Sequence, residues 1–145
     1  MTSYFNHKIF PKQKFYLQYF KGVVDMNVAG RAMIDIINED DFDPSFNTIV
    51  DFRDAKMQFT NDEISEFANF LMRRNLVDKD RKIAILTEQP DQPFFVTLLV
   101  LLTENDVVNY KIFNTFEDSM EWIEVKRNKE RLVRNIMEKL KSDSI

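Results

Sequence analysis

Residues 47–71, NTIVDFRDAKMQFTNDEISEFANFL, hold one strand, one turn and one helix, and their reading decides the fold. Thr48-Ile49-Val50 is short, β-branched and apolar, as suits a strand covered on both faces. Asp51 and Phe52 end the run, and Arg53-Asp54-Ala55 reads as the start of a polar turn. Thr60-Asn61-Asp62-Glu63 has the form of a capping box, in which the Thr60 hydroxyl accepts from the N–H of Glu63 and the Glu63 carboxylate accepts from the N–H of Thr60. Asp62 and Glu63 also suit the positive end of the helix dipole. Ile64, Phe67, Ala68 and Leu71 follow at helical spacing and give the helix one apolar face. A buried strand feeding a helix over a short turn is half of a right-handed βαβ crossover.

The flanking chain repeats that plan. Residues 4–10 and 14–20 read as two strands joined by Pro11-Lys12-Gln13, with Gly22 ending the second, and they form an antiparallel hairpin at the sheet edge. Asp25 caps a helix over 26–38 whose inner face is Ala29, Ala32, Met33, Ile36 and Ile37. An acidic loop from Glu39 to Pro44 follows. After the central unit, 81–87 (RKIAILT) is another buried strand. Asp91 is the expected cap of the next helix, with Pro93 early in it, where a missing N–H costs little. Residues 94–102 are apolar almost all round, the mark of a deeply buried helix or an interface. A last strand over 107–113 leads to a short helix over 116–124, capped by Asn114 or Thr115. From Val125 the chain is rich in charge, and Leu132, Val133, Ile136 and Leu140 form the stripe of a final amphipathic helix that frays at Ser142. This order implies an α/β domain over 1–124 with a mixed, mostly parallel sheet, and a helical extension over 125–145 packed on the same domain or in an interface.

Composition narrows the function. A chain of 145 residues with 44% hydrophobic residues can bury the core of one domain. The absence of cysteine removes disulfides, thiol nucleophiles and Cys-ligated metals, and fits a reducing cytoplasm. A formal net charge of −4 gives no global attraction to nucleic acid or anionic membrane. The N-terminus has no basic segment followed by an apolar run, and the stretch 94–102 is too short to span a bilayer. Two glycines leave no room for a Gly-rich phosphate loop.

The pattern IVDFRDA…FTNDEI, then KIAILTEQP, then YKIFNTFEDSMEWI resembles the STAS superfamily, and within it the bacterial SpoIIAA-like (STAS/SEC14-type) proteins. The closing segment is carried by Phe113, Phe116, Glu117, Met120, Trp122 and Ile123, and the likeness covers roughly residues 4–124. It implies a STAS-like fold, a βα superhelix with the sheet on one side and helices on the other. In anti-sigma-factor antagonists of that superfamily a Ser at the start of the second helix, within an Asp-Ser-Ser-Gly run, is phosphorylated. Thr60 falls at that place, but the chain reads Phe59-Thr60-Asn61-Asp62 there, and helix capping accounts for Thr60.

His7, the one histidine, lies in the edge strand, far from any nucleophile loop, and reads as a strand residue. Glu39, Asp40, Asp41 and Asp43 lack the central glycine and closing glutamate of a calcium loop and read as solvated, so no metal or cofactor is expected. Ligands of α/β sheets gather beyond the carboxyl ends of the strands, where Arg53, Asp54, Thr60, Thr87, Gln89 and Asn114 are the candidates. Arg53 there either holds an anion or pairs with Asp54. Phe94, Phe95, Leu98 and Leu102, with Leu132, Ile136 and Leu140, are the interface candidates. The abundant aromatics form a core or line a hydrophobic-ligand pocket. The reading that follows is a cytoplasmic, non-enzymatic domain that binds a protein partner or itself, without nucleic acid or stable membrane insertion. Its rivals are a small hydrophobic-ligand or lipid carrier and an enzyme at the carboxyl edge of the sheet.

Overall fold

The computed structural model describes residues 3–76, 80–104 and 109–142. Among these, strands β1 (Tyr4–Phe10), β2 (Phe15–Val24), β3 (Asn47–Met57), β4 (Lys82–Leu86) and β5 (Asn109–Phe113) form one sheet in chain order. Strands β1 and β2 are antiparallel and all later pairs are parallel, as the element order implies. The helices are α1 (Met26–Ile37), α2 (Asn61–Arg73), α3 (Pro93–Glu104), α4 (Phe116–Trp122) and α5 (Glu130–Ser142), the last preceded by a 3₁₀ turn, Arg127–Lys129. None is long and apolar enough to cross a membrane. Residues 107 and 108, read as the start of the last strand, lie outside the described residues.

Strand order explains the layers. Crossovers between neighbouring parallel strands share one hand, so a sheet that grows in one direction places every crossover helix on one face. Helices α1, α2 and α3 accordingly share the core built on Tyr16, Phe20 and Ile85. The resemblance implied helices on one side alone. That would leave Phe15, Leu17, Ile49, Ala84 and Leu86, the opposite-facing residues of the same strands, in water. Helices α4 and α5 cover them: α4 packs on β4 and β5, and α5 returns to β1 and β2.

Local signals place most elements. Asp25 caps α1 by accepting from the N–H of Val28 (2.9 Å). Thr115, not Asn114, caps α4 by accepting from the N–H of Asp118 (3.3 Å). Helix α3 starts at Pro93, so the residue just outside it is Gln92 and not Asp91. The Gln92 side chain accepts from the N–H of Met57 (3.2 Å), tying α3 to the end of β3.

Three boundaries move. Strand β2 does not end at Gly22 but runs through it to Val24, with Gly22 at φ 83°, a conformation that costs glycine nothing. Strand β3 does not turn at Arg53: it runs on to Met57 because Gly22, Val23 and Val24 pair with Ala55, Lys56 and Met57 beyond an irregularity at Tyr19/Lys21. The inner face of α5 is Val133, Met137 and Leu140, while Leu132 points out at 48% exposure and Ile136 is partly buried.

Candidate functional site

Extension of β3 through Arg53 puts Asp51 and Arg53 on one side of the strand, two residues apart. Asp51 is fully buried and accepts three bonds from Arg53: from the backbone N–H (3.0 Å), from Nε (3.0 Å) and from Nη2 (2.9 Å). The fork is bidentate, the geometry that suits a guanidinium to a carboxylate. This bond to Asp51 raises the Arg53 pKa further above its ordinary value. The expected Arg53–Asp54 pair is replaced by Arg53–Asp51, and the arginine that was to meet an anionic ligand meets the chain's own carboxylate.

Asp54 takes part differently. It accepts from the Tyr19 hydroxyl (2.6 Å). Lys141 of α5 lies 3.8 Å from the Asp51 carboxylate and over the Tyr19 ring, 5.8 Å from its centroid. The Tyr4 hydroxyl donates to the carbonyl of Leu140 (3.1 Å). The carboxyl edge of β3 is thus a closed polar network that fastens the end of α5 to the sheet.

Burial raises the Tyr19 pKa well above its ordinary 10.0, reinforced by the bond to Asp54 and by the charges of Asp54 and Asp51. A raised folded-state value favours the neutral phenol in the folded protein. Its stabilising contribution is therefore complete below about pH 10 and falls as pH rises beyond it. Tyr19→Phe is expected to flatten the alkaline limb of stability against pH. An unchanged limb in denaturant titrations above pH 10 would count against the Tyr19–Asp54 bond.

The other candidates are placed as follows. Asp51, Leu86 and Phe113 align across β3, β4 and β5, so Thr87 and Asn114 follow the ends of β4 and β5 beside Asp51 and Arg53, which lie within β3. Thr87 is buried: its hydroxyl accepts from the N–H of Gln89 (3.1 Å), and its own N–H donates to the carbonyl of Phe113 (3.0 Å). Gln89 and Asn114 are exposed. Thr60 lies beyond the end of β3 in a complete capping box, with bonds of 2.8 and 3.1 Å. Thr60→Ala should lower stability by about 1 kcal/mol, while Thr60→Asp, itself a good cap, should leave it nearly unchanged in urea unfolding. His7 meets Glu39 at 3.3 Å. Asp43 accepts from the N–H and hydroxyl of Ser45, which holds its carboxyl below the ordinary value. No cluster of metal-ligating side chains occurs among the described residues.

Phe94, Phe95, Leu98 and Leu102 are core residues and not an interface, because the near-continuous apolarity of α3 turns its bulkiest side chains toward the sheet. The outward side of α3 is Val96 and Val100, each about half exposed. Of the α5 candidates, Leu140 is buried under the helix and Leu132 remains exposed.

The layer under α1–α3 is incompletely filled. A cavity of about 90 Å³ lies between the helices and the sheet. Ala29 and Met33 of α1, Phe67 and Leu71 of α2, and Phe94, Phe95, Leu98, Leu99 and Leu102 of α3 line it from above. Tyr16, Phe20, Val50, Phe52, Ile83 and Ile85 line it from the sheet. Two of its polar groups, Thr48 and Arg81, lie toward the amino ends of the strands, away from the expected carboxyl edge, and the third, Gln18, lies level with Val50 and Ile85. Arg81 and Gln18 are 3% and 4% exposed. Neither was singled out from the sequence. The available signal was Gln18 in the apolar alternation of Tyr16, Gln18 and Phe20, a polar residue on a core-facing position. A groove of about 380 Å³ between α1 and α2 is an open surface feature with Glu66 and Arg73 among its lining residues.

No protein-family model matches the chain, and no curated protein matches it. The structure is similar to the crystal structure of an uncharacterised protein of the DUF3478 family with a SpoIIAA-like fold, from Shewanella loihica PV-4. The likeness covers 83% of this chain and 93% of that chain at a TM-score of 0.52, with 9% sequence identity. The fold is therefore SpoIIAA-like, as the sequence motifs implied, and the likeness is one of fold alone.

Proposed function

We propose that the chain is a non-enzymatic binding domain whose ligand is a small hydrophobic molecule held between the sheet and α1–α3. The cavity is the observation that carries this reading. Protein interiors are normally close-packed, and voids larger than a water molecule are few. A largely apolar void of this kind is ready to accept a guest, because apolar side chains that face empty space forgo contacts that a ligand restores. Weight moves from the protein-partner reading to this one because the α3 residues offered to a partner are the walls of the cavity. The carboxyl edge, where an enzyme reading would place its chemistry, has its carboxylates engaged by Arg53, Lys141 and Tyr19.

The test is thermal unfolding under a pressure of xenon, a neutral probe small enough for the cavity. Wild-type protein should gain Tm with xenon, since a ligand that binds only the folded state stabilises it by mass action. Ala29→Leu, which places a larger side chain at the cavity wall, should fold and lose the gain. Equal xenon responses in the two proteins would remove the cavity from the account.

A second reading has its own observation. Val96 and Val100 are one helical turn apart and about half exposed, a short apolar stripe on α3 suited to a protein partner or a second copy. Sedimentation of wild type and Val100→Glu tests self-association: a larger wild-type species lost in the variant supports it, and two monomers oppose it.

A further inference from the structure

Arg81 stands at the start of β4, 3% exposed, and lines the cavity. Among the described residues its guanidinium donates to the carbonyl of Leu76 and to the hydroxyl of Tyr16, and lies 5.2 Å from the Tyr16 ring centroid. These partners are uncharged. Among the described residues the Nε–H has no hydrogen-bond partner. A buried cation with a vacant donor is costly, and an anion brought to it recovers both the desolvation and the missing bond. Tyr16, having accepted from Arg81, still has its own proton to donate. The Gln18 amide donates to the sulfur of Met33 at 3.7 Å and, level with Ile85, lies farther along the sheet from Arg81.

We infer that the cavity takes a small carboxylate, with its head at Arg81 and a short aliphatic tail among the apolar lining side chains. The inference rests on the cavity reading above and names its ligand class. Arg81, with no carboxylate partner among the described residues, favours an anion. A carboxylate fits better than a phosphate, because the donors in reach are few and the remaining wall is apolar. Size sets the tail. An apolar cavity of about 150 Å³ holds benzene, so 90 Å³ holds on the order of four heavy atoms. Short-chain acids are the matched class, and a full-length acyl chain would need the helices to part.

The experiment titrates ¹⁵N-labelled wild-type protein with propanoate, with its neutral near-isostere propanamide, and with xenon under pressure, following the Arg81 Nε–H and the cavity methyls by NMR. Propanoate should bind at least tenfold more tightly than propanamide, move the Arg81 Nε–H downfield and slow its exchange. Xenon should move the methyls and leave the Nε–H in place. Arg81→Met should reduce propanoate affinity at least tenfold without weakening propanamide. Propanoate that binds no better than propanamide, or binds without moving the Nε–H, overturns the carboxylate inference and leaves the cavity reading standing. Failure of all three probes to bind overturns both. The wild-type Nε–H decides the matter even if Arg81→Met does not fold.

Discussion

Arg53→Met should lower the free energy of unfolding by about 3–5 kcal/mol, the range for removing one partner of a buried ion pair. For a chain of this length that corresponds to a fall in Tm of roughly 10–20 °C. The reason is asymmetric burial. Asp51 is fully buried, whereas the side chain of Arg53 is 21% exposed. Without the Arg53 side chain the carboxylate loses two hydrogen bonds and keeps the backbone N–H of residue 53 (3.0 Å) and Lys141 at 3.8 Å. Asp51→Asn should cost less, because the amide oxygen still accepts and the released guanidinium reaches water. The double variant Asp51→Leu/Arg53→Met should recover much of the loss, since replacing both members of a buried pair by apolar groups is often close to neutral. Chemical unfolding of these proteins, with the single variant Asp51→Leu added to complete the cycle, checks this. Additive single and double effects would show that the two residues do not act as a unit.

Phe95→Ala is the second large effect. Phe95 is 1% exposed and packs against Phe94 and Phe52, with ring centroids 5.3 and 5.4 Å away. Its removal should cost about 3–5 kcal/mol, as for other buried Phe→Ala changes. Because Phe95 forms part of the cavity wall, the same variant enlarges the void. Saturating toluene should then restore part of the lost stability, about 2.7 kcal/mol at a hundredfold excess over Kd. Unfolding of the variant with and without toluene provides the measurement. A cost below about 1 kcal/mol would mean that α3 is not packed on the sheet as described, given the size of an aromatic core deletion.

What could be read from the sequence was local. The capping box at Thr60, the Asp25 cap and the hairpin around Pro11 depend on residues within a few positions of one another, and each stands where its signal lies. The end of β3 was not legible, because its last residues are strand only through pairing with the far end of β2. Misplacing that end hid the main polar pair: with a turn at Arg53 the natural partner was Asp54, and with a strand it is Asp51. The inner face of α5 was missed by part of a turn, because Leu132 and Met137 are both apolar and periodicity alone does not choose between them. Apart from Gln18, the cavity left little signal in the sequence, since a void depends on how side chains from seven elements fail to meet. Arg81, beside Lys82 at the head of an apolar strand, looks like ordinary surface charge until α2, β2 and β4 are assembled around it.

The central claim is that the space under α1–α3 admits an apolar guest, and xenon tests it most directly. Xenon enters dry apolar cavities without needing a polar contact. Methyl NMR of the wild-type protein under increasing xenon pressure should show saturable shifts at Met33, Ile85, Leu98 and Leu99, which line the cavity, and little change at Ile34 in the outer α1–α2 groove. Shifts confined to Ile34, or none that saturate, would show that the core is closed to guests and that the domain binds its partner on the outside.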